Sequence, residues 1–273
     1  MTISLTGTLV LIGAGKMGGA MLEGWLAAGV DPRKVVALDP NPPAEVKALL
    51  EKHGVRHNPE PATIIDAEVL LVAVKPQVMD EVLTPLQTLA KSKPLVLSIA
   101  AGKTIASFQR HFGGDAAVIR TIPNTPAAIG RGITAMFAND NVSAGQRELA
   151  GQLLRSIGEV VLVDNEALID AATAVSGSGP AYVFYLTECL AAAGEAVGLP
   201  ADVAMKLARA TVAGSGELMR QSGIDAATLR QNVTSPKGTT YAALQVLMAE
   251  QGLEPLMVRA IEAAAKRSRE LAS

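Results

Sequence analysis

The chain has 273 residues, 49% of them hydrophobic, 18% charged and only 3% aromatic, with a formal net charge of −2. That length suits two ordinary domains or one large one, and a chain this apolar and weakly charged is not a disordered one. The charge gives no basic footprint for a polyanion, and the core has to be built from Ala, Val, Leu and Ile rather than from rings.

In chain order, residues 8–12 read as a strand. Residues 16–28 read as a helix, with Met17, Met21, Leu22, Trp25 and Leu26 at helical spacing. A second strand is expected at 35–38, a helix at about 43–53 and a brief strand near 55–57. Four more apolar runs follow at 69–74, 95–99, 117–119 and 160–163, each bounded by Gly, Pro or polar residues. Such runs suit strands buried on both faces, as in a parallel sheet covered by helices. Residues 1–165 are therefore predicted to form a doubly wound α/β domain. From residue 166 to 273 no strand pattern appears, and Ala, Leu, Glu and Arg recur at helical periods. Breaks at 176–180, 198–200, 222–223 and 235–238 leave room for about five helices. Small residues at 191–194 and 196 permit close helix approach, so this half reads as an all-α bundle that also offers a subunit interface.

The segment Gly13-Ala14-Gly15-Lys16-Met17-Gly18 lies between the first strand and the first helix. In that setting Gly13 allows a tight turn, Gly15 lets a pyrophosphate approach the backbone, and Gly18 lets the helix pack closely on the strand. The positive end of the helix favours the phosphate charge. Asp39 ends the second strand. It reads either as the acid that accepts hydrogen bonds from an adenine ribose and repels a 2′-phosphate, or as a capping acid in Asp39-Pro-Asn-Pro-Pro. Ligands in open α/β sheets sit beyond the carboxyl ends of strands. This places Val74-Lys75-Pro76, Ala100-Ala-Gly102 and the loop after Ile122 at the same cleft, with Lys75 suited to a ribose or to solvent. Asn124 suits a carboxamide, a substrate or a turn.

Two loops interrupt the helical half. Ser176-Gly-Ser-Gly-Pro180 presents hydroxyls and amides, but its glycines flank Ser178 directly and no histidine follows His111, which disfavours a hydrolase nucleophile. Ser235-Pro-Lys-Gly238-Thr239-Thr240 precedes an apolar helix and gathers several amides and three hydroxyls at a positive helix end. That suits a small carboxylate, with ordinary N-capping as the alternative. A lone cysteine, Cys189, excludes an internal disulfide, and the histidines His53, His57 and His111 form no metal motif. The start of the chain lacks the pattern of a signal peptide, and Glu188 and Glu195 interrupt the most apolar later stretch. A cytoplasmic protein with no metal, membrane or nucleic-acid partner is expected.

Taken together, Ile12-Gly-Ala-Gly-Lys-Met-Gly18, Val74-Lys-Pro, Asn124-Thr-Pro, Ser176-Gly-Ser-Gly-Pro-Ala-Tyr182 and Ser235-Pro-Lys-Gly-Thr-Thr240 resemble pyrroline-5-carboxylate reductase over nearly the whole chain. The resemblance implies a Rossmann-like domain, followed by a helical dimerisation domain at 166–273, in homodimers often assembled into rings. It also implies NADP or NAD, in reduced form, as the hydride donor to the C=N bond of 1-pyrroline-5-carboxylate, giving L-proline. The cofactor would be bound by Gly13, Ala14, Gly15, Lys16, Met17, Gly18, Asp39, Val74, Lys75, Pro76 and Asn124. By the same resemblance the substrate carboxylate rests on Ser235, Gly238, Thr239 and Thr240, and Thr240 and Ser176 stand at the reacting centre. This loop often meets the cofactor within a dimer. The chain departs from the family where Lys237 replaces a common Gly and where an acid often found near Gly223 is missing. Asp39 stands where many relatives carry Ser, Asn or Arg. The rival readings are a hydroxyacid dehydrogenase of similar plan, using Lys237, and a non-catalytic NAD(P) sensor.

Overall fold

A computed structural model of the chain describes residues 3–272. Strand β1 (Thr8–Ile12) is buried at every residue and lies between β2 (Val35–Leu38) and β4 (Ala67–Val72), parallel to both. With β3 (Arg56–His57), β5 (Leu95–Ser98), β6 (Val118–Ile122), β7 (Gly132–Ala138) and β8 (Gly158–Leu162), it forms one sheet in the order β3-β2-β1-β4-β5-β6-β7-β8. The first six strands are parallel, β7 runs antiparallel to β6, and β8 runs parallel to β7.

Alternation along each strand sends successive side chains to opposite faces. Leu9 and Leu11 join Met21, Leu22, Trp25, Val46 and Leu154, residues of α1 (Lys16–Ala27), α2 (Ala44–His53) and α5 (Ala144–Arg155). Val10 and Ile12 join Met79, Leu83 and Phe108, from α3 (Met79–Leu83) and α4 (Ile105–Phe112). The one tryptophan, Trp25, is fully buried, and its indole N–H donates to the Leu153 carbonyl at 3.0 Å, joining α1 to α5. On the surface, His111 Nε2 lies 2.8 Å from Asp80 Oδ1. That hydrogen bond holds the Asp80 carboxyl below its ordinary range.

Among the described residues, 3–177 with 264–272 form one compact unit and 178–263 another. The first includes α6 (Ala167–Ala172) and a π-turn, Thr173–Gly177, beyond the position 165 at which the strand pattern of the sequence ends. Arg120 on β6 accounts for this. Its buried guanidinium bonds Asp170 at 2.9 Å and Glu166 at 3.2 Å, one turn apart, the first inside α6 and the second just before its start. Asp170 also accepts the Ser268 hydroxyl at 2.8 Å, from the last turns of α11 (Leu253–Ala272).

The second unit contains α7 (Gly179–Ala196), α8 (Ala201–Ser222), α9 (Ala226–Asn232), α10 (Thr239–Leu247) and the start of α11. Small residues bring α7 against α8: Ala191, Ala204 and Ala208 are buried, and a Cβ on Gly194 would meet Ala204 Cβ at 3.2 Å. On the same two helices Phe184, Tyr185, Leu186, Leu207 and Leu218 are exposed, as is Val246 on α10. No described helix is long and apolar enough to cross a membrane.

Candidate active site

The turn after β1 requires its first glycine. Gly13 has φ +90°, and a Cβ there would come within 2.9 Å of the Ala73 backbone and of the Val74 side chain. Gly18 fits because a Cβ would lie 2.4 Å from the Gly13 carbonyl. Gly15 is different. Its φ is −68° and a Cβ would meet nothing within 4 Å, so the fold does not demand glycine and the space above it is open. Gly15 is also the N-cap of α1 and gives no side-chain cap. The amides of Lys16, Met17 and Gly18, first in the helix, have no partner among the described residues. Free amides, a positive helix end and open room over Gly15 fit a dinucleotide pyrophosphate.

Asp39 belongs to this turn. One carboxylate oxygen accepts the Ala14 N–H at 2.6 Å and the other the Asn41 N–H at 2.8 Å. Val74 meets the turn, as just described, while Lys75 is exposed and caps a short turn that begins at Pro76. Asn124, buried beyond the end of β6, accepts the Ile133 N–H at 3.0 Å and so ties its loop to β7. Ser176 lies in the π-turn, where its hydroxyl donates to the Ala172 carbonyl at 2.9 Å. The Arg120–Glu166–Asp170–Ser268 network is absent from the sequence expectation. Its signals were an arginine inside the apolar run Val118-Ile-Arg-Thr-Ile and two acids four apart.

In the second unit α10 also starts without a side-chain cap, at Gly238. The Gly238 N–H is not a free donor: it closes the turn on the Ser235 carbonyl at 3.1 Å, with Lys237 left-handed at φ +60°. Gly238 instead contributes space, since a Cβ would fall 2.4 Å from Ser235 Oγ. The amides of Thr239, Thr240 and Tyr241 are the ones without partners among the described residues. Thr240 is half-buried, and Ser235 and Thr239 are exposed.

A cavity of 760 Å³ lies elsewhere, at the amino ends of β1 and β4, lined in part by Thr6, Gly7, Asp66 and Glu68. Asp66 accepts the Thr8 hydroxyl and Glu68 the Thr6 and Gly7 amides, and the cavity opens at the wrong end of the sheet for a dinucleotide.

The strand order and the uncapped glycine turn define a dinucleotide-binding fold carrying an oxidoreductase's cofactor loop. Residues 8–102 match the family described as NADP oxidoreductase, coenzyme F420-dependent, and residues 166–271 match pyrroline-5-carboxylate reductase dimerisation. The pyrroline-5-carboxylate reductase of Pseudomonas aeruginosa is 41% identical over 271 residues, covering 98% of this chain and 97% of that protein. A solved pyrroline-5-carboxylate reductase from Coxiella burnetii superposes with a TM-score of 0.91 at 34% identity, covering 98% of this chain and 100% of that one. The NADP-bound pyrroline carboxylate reductase of Plasmodium falciparum gives 0.81 at 26% identity, covering 98% and 99%. The chain belongs to the pyrroline-5-carboxylate reductase family.

Proposed function

We propose that this chain reduces the C=N bond of 1-pyrroline-5-carboxylate to give L-proline, the last step of proline biosynthesis, with NAD(P)H as donor. The observation that carries this reading is the start of α10, where three unpartnered amides and the Ser235 hydroxyl are gathered without a capping side chain. A small carboxylate is the ligand that such an end prefers.

When bound, the reduced nicotinamide supplies the hydride. The chain supplies orientation. The amides of Thr239 and Thr240 and the Ser235 hydroxyl fix the carboxylate, and the Thr240 side chain holds the proton on the ring nitrogen. A protonated imine is already electrophilic, so proximity and alignment account for the chemistry without a histidine or a buried acid. The Ser176 hydroxyl donates its hydrogen bond to the Ala172 carbonyl, which leaves its oxygen as an acceptor toward a bound ligand. We assign the chain to the cytoplasm and to dimers assembled into larger rings, an arrangement that the exposed apolar residues of α7, α8 and α10 support.

The test is optical: NADH or NADPH oxidation with pyrroline-5-carboxylate, and proline measured as product. Rapid stoichiometric proline formation is expected. Folded protein that binds cofactor and makes no proline would overturn the assignment. Thr240→Ala is expected to lower kcat about 10²-fold or more, and unchanged turnover would remove the proton-holding role.

A further inference from the structure

We infer that Asp39 makes this chain an NADH-preferring reductase, because its carboxylate stands fixed at the ribose end of the cofactor turn with no cation beside it. The inference rests on the dinucleotide site proposed above and names the form of cofactor that site selects.

Four groups hold the residue in place. The carboxylate oxygens accept the Ala14 and Asn41 amides at 2.6 and 2.8 Å. The Asp39 N–H donates to Asn58 Oδ1 at 2.8 Å, and its carbonyl accepts Asn58 Nδ2 at 2.8 Å with His57 Nε2 at the same distance. Asn58 itself takes a left-handed φ of +49° in making these bonds. An acid held this way cannot swing into solvent to admit a second anion. The following segment, Pro40-Asn-Pro-Pro43, contains no basic residue and little freedom to bring one in. Among the described residues, no Lys or Arg forms an ion pair with Asp39.

The acceptor count then separates the two cofactors. A carboxylate offers about four lone-pair sites, and the two amides occupy two. The remaining two match the two hydroxyls of an adenine ribose, each of which brings a donor. A 2′-phosphate removes one of those donors and adds a charge of about −1.5 to −2 at neutral pH, against a fixed negative neighbour. The position, at the end of the second strand of a doubly wound sheet, is where an acid ordinarily meets the ribose. The Plasmodium relative is NADP-bound, so the preference would distinguish this chain from it.

Cofactor binding to the intact oligomer, measured by calorimetry without substrate, tests this. NADH should bind about tenfold tighter than NADPH or better. Asp39→Asn removes the charge but turns an NH2 toward one of the two amides, so some loss of turn geometry is expected for both cofactors. That shared loss cancels in the ratio of the two Kd values. The ratio should collapse by about tenfold toward NADPH, a change that a purely bracing role would not produce. Equal or tighter NADPH binding by the unaltered protein would overturn the inference, as would an Asp39→Asn variant with the ratio unchanged. If that variant does not fold, the unaltered protein's ratio decides alone, with thermal midpoints in each cofactor as a second measure. Binding of neither cofactor would overturn this inference and the dinucleotide site together. NADH-selective binding without imine reduction would leave the inference standing and overturn only the substrate assignment.

Discussion

At the residue scale, two glycines of one motif, two positions apart, illustrate how structure divides what a motif joins. Gly13 is required by the backbone and Gly15 by what approaches it. Gly13→Ala is expected to cost at least about 2 kcal/mol in urea unfolding, from its positive φ and the 2.9 Å approach to Ala73. Gly15→Ala should leave the unfolding midpoint unchanged and weaken NADH binding about tenfold or more, measured by calorimetry. An equal loss of stability in both variants would contradict this division. The motif itself was legible because strand, turn and helix surround it. The bond from Asp39 to Ala14 was not, because no pattern in Asp39-Pro-Asn-Pro-Pro says where its carboxylate points; sequence left the ribose and capping readings both open, and the geometry has the acid bracing the turn.

At the scale of elements, seven strands were readable to within a few residues: β1, β2, β4, β5 and β6 are buried on both faces and leave apolar runs in the sequence, whereas β3 and β8 are largely exposed. The strand β7 was not seen. Gly132-Ile-Thr-Ala-Met-Phe-Ala has Gly, Ala and Met among its β-formers, and its reversal against β6 breaks the βα rhythm on which the reading relied. The helical half showed about five helices, whereas six are described after residue 166. The break near Gly252 hides in Met248-Ala-Glu-Gln, a stretch of good helix formers, and it is enforced by the turn bond from the Gly252 amide to the Ala249 carbonyl at 2.8 Å. The element most dependent on unforeseen chemistry is α6, held to β6 by Arg120. Arg120→Ala would leave Asp170 buried without its cation, so a loss of about 3–5 kcal/mol in urea unfolding is expected. Ser268→Ala removes one neutral donor from the same acid and should cost about 1 kcal/mol. A small effect of Arg120→Ala would mean that α6 is held by its apolar contacts alone.

At the scale of the whole molecule, the second unit explains the composition. A chain poor in aromatic residues buries alanines between α7 and α8 and leaves Phe184, Tyr185 and Leu218 on the outside. Exposed apolar surface on this scale marks an association face, in agreement with the dimerisation family matched by residues 166–271. Phe184→Glu combined with Leu218→Glu should shift the sedimentation mass toward the single chain and make the thermal midpoint fall on dilution. An unchanged mass would place the association face elsewhere. The return of α11 to the first unit has a consequence for how the protein is made. Segment 264–272 completes the unit that begins at the amino end, with Leu271 seated against Gly102 and Ser268 on Asp170. On the ribosome the nucleotide-binding half therefore emerges with a missing piece. It waits, with its buried acid open to water, until the whole intervening helical segment has been translated.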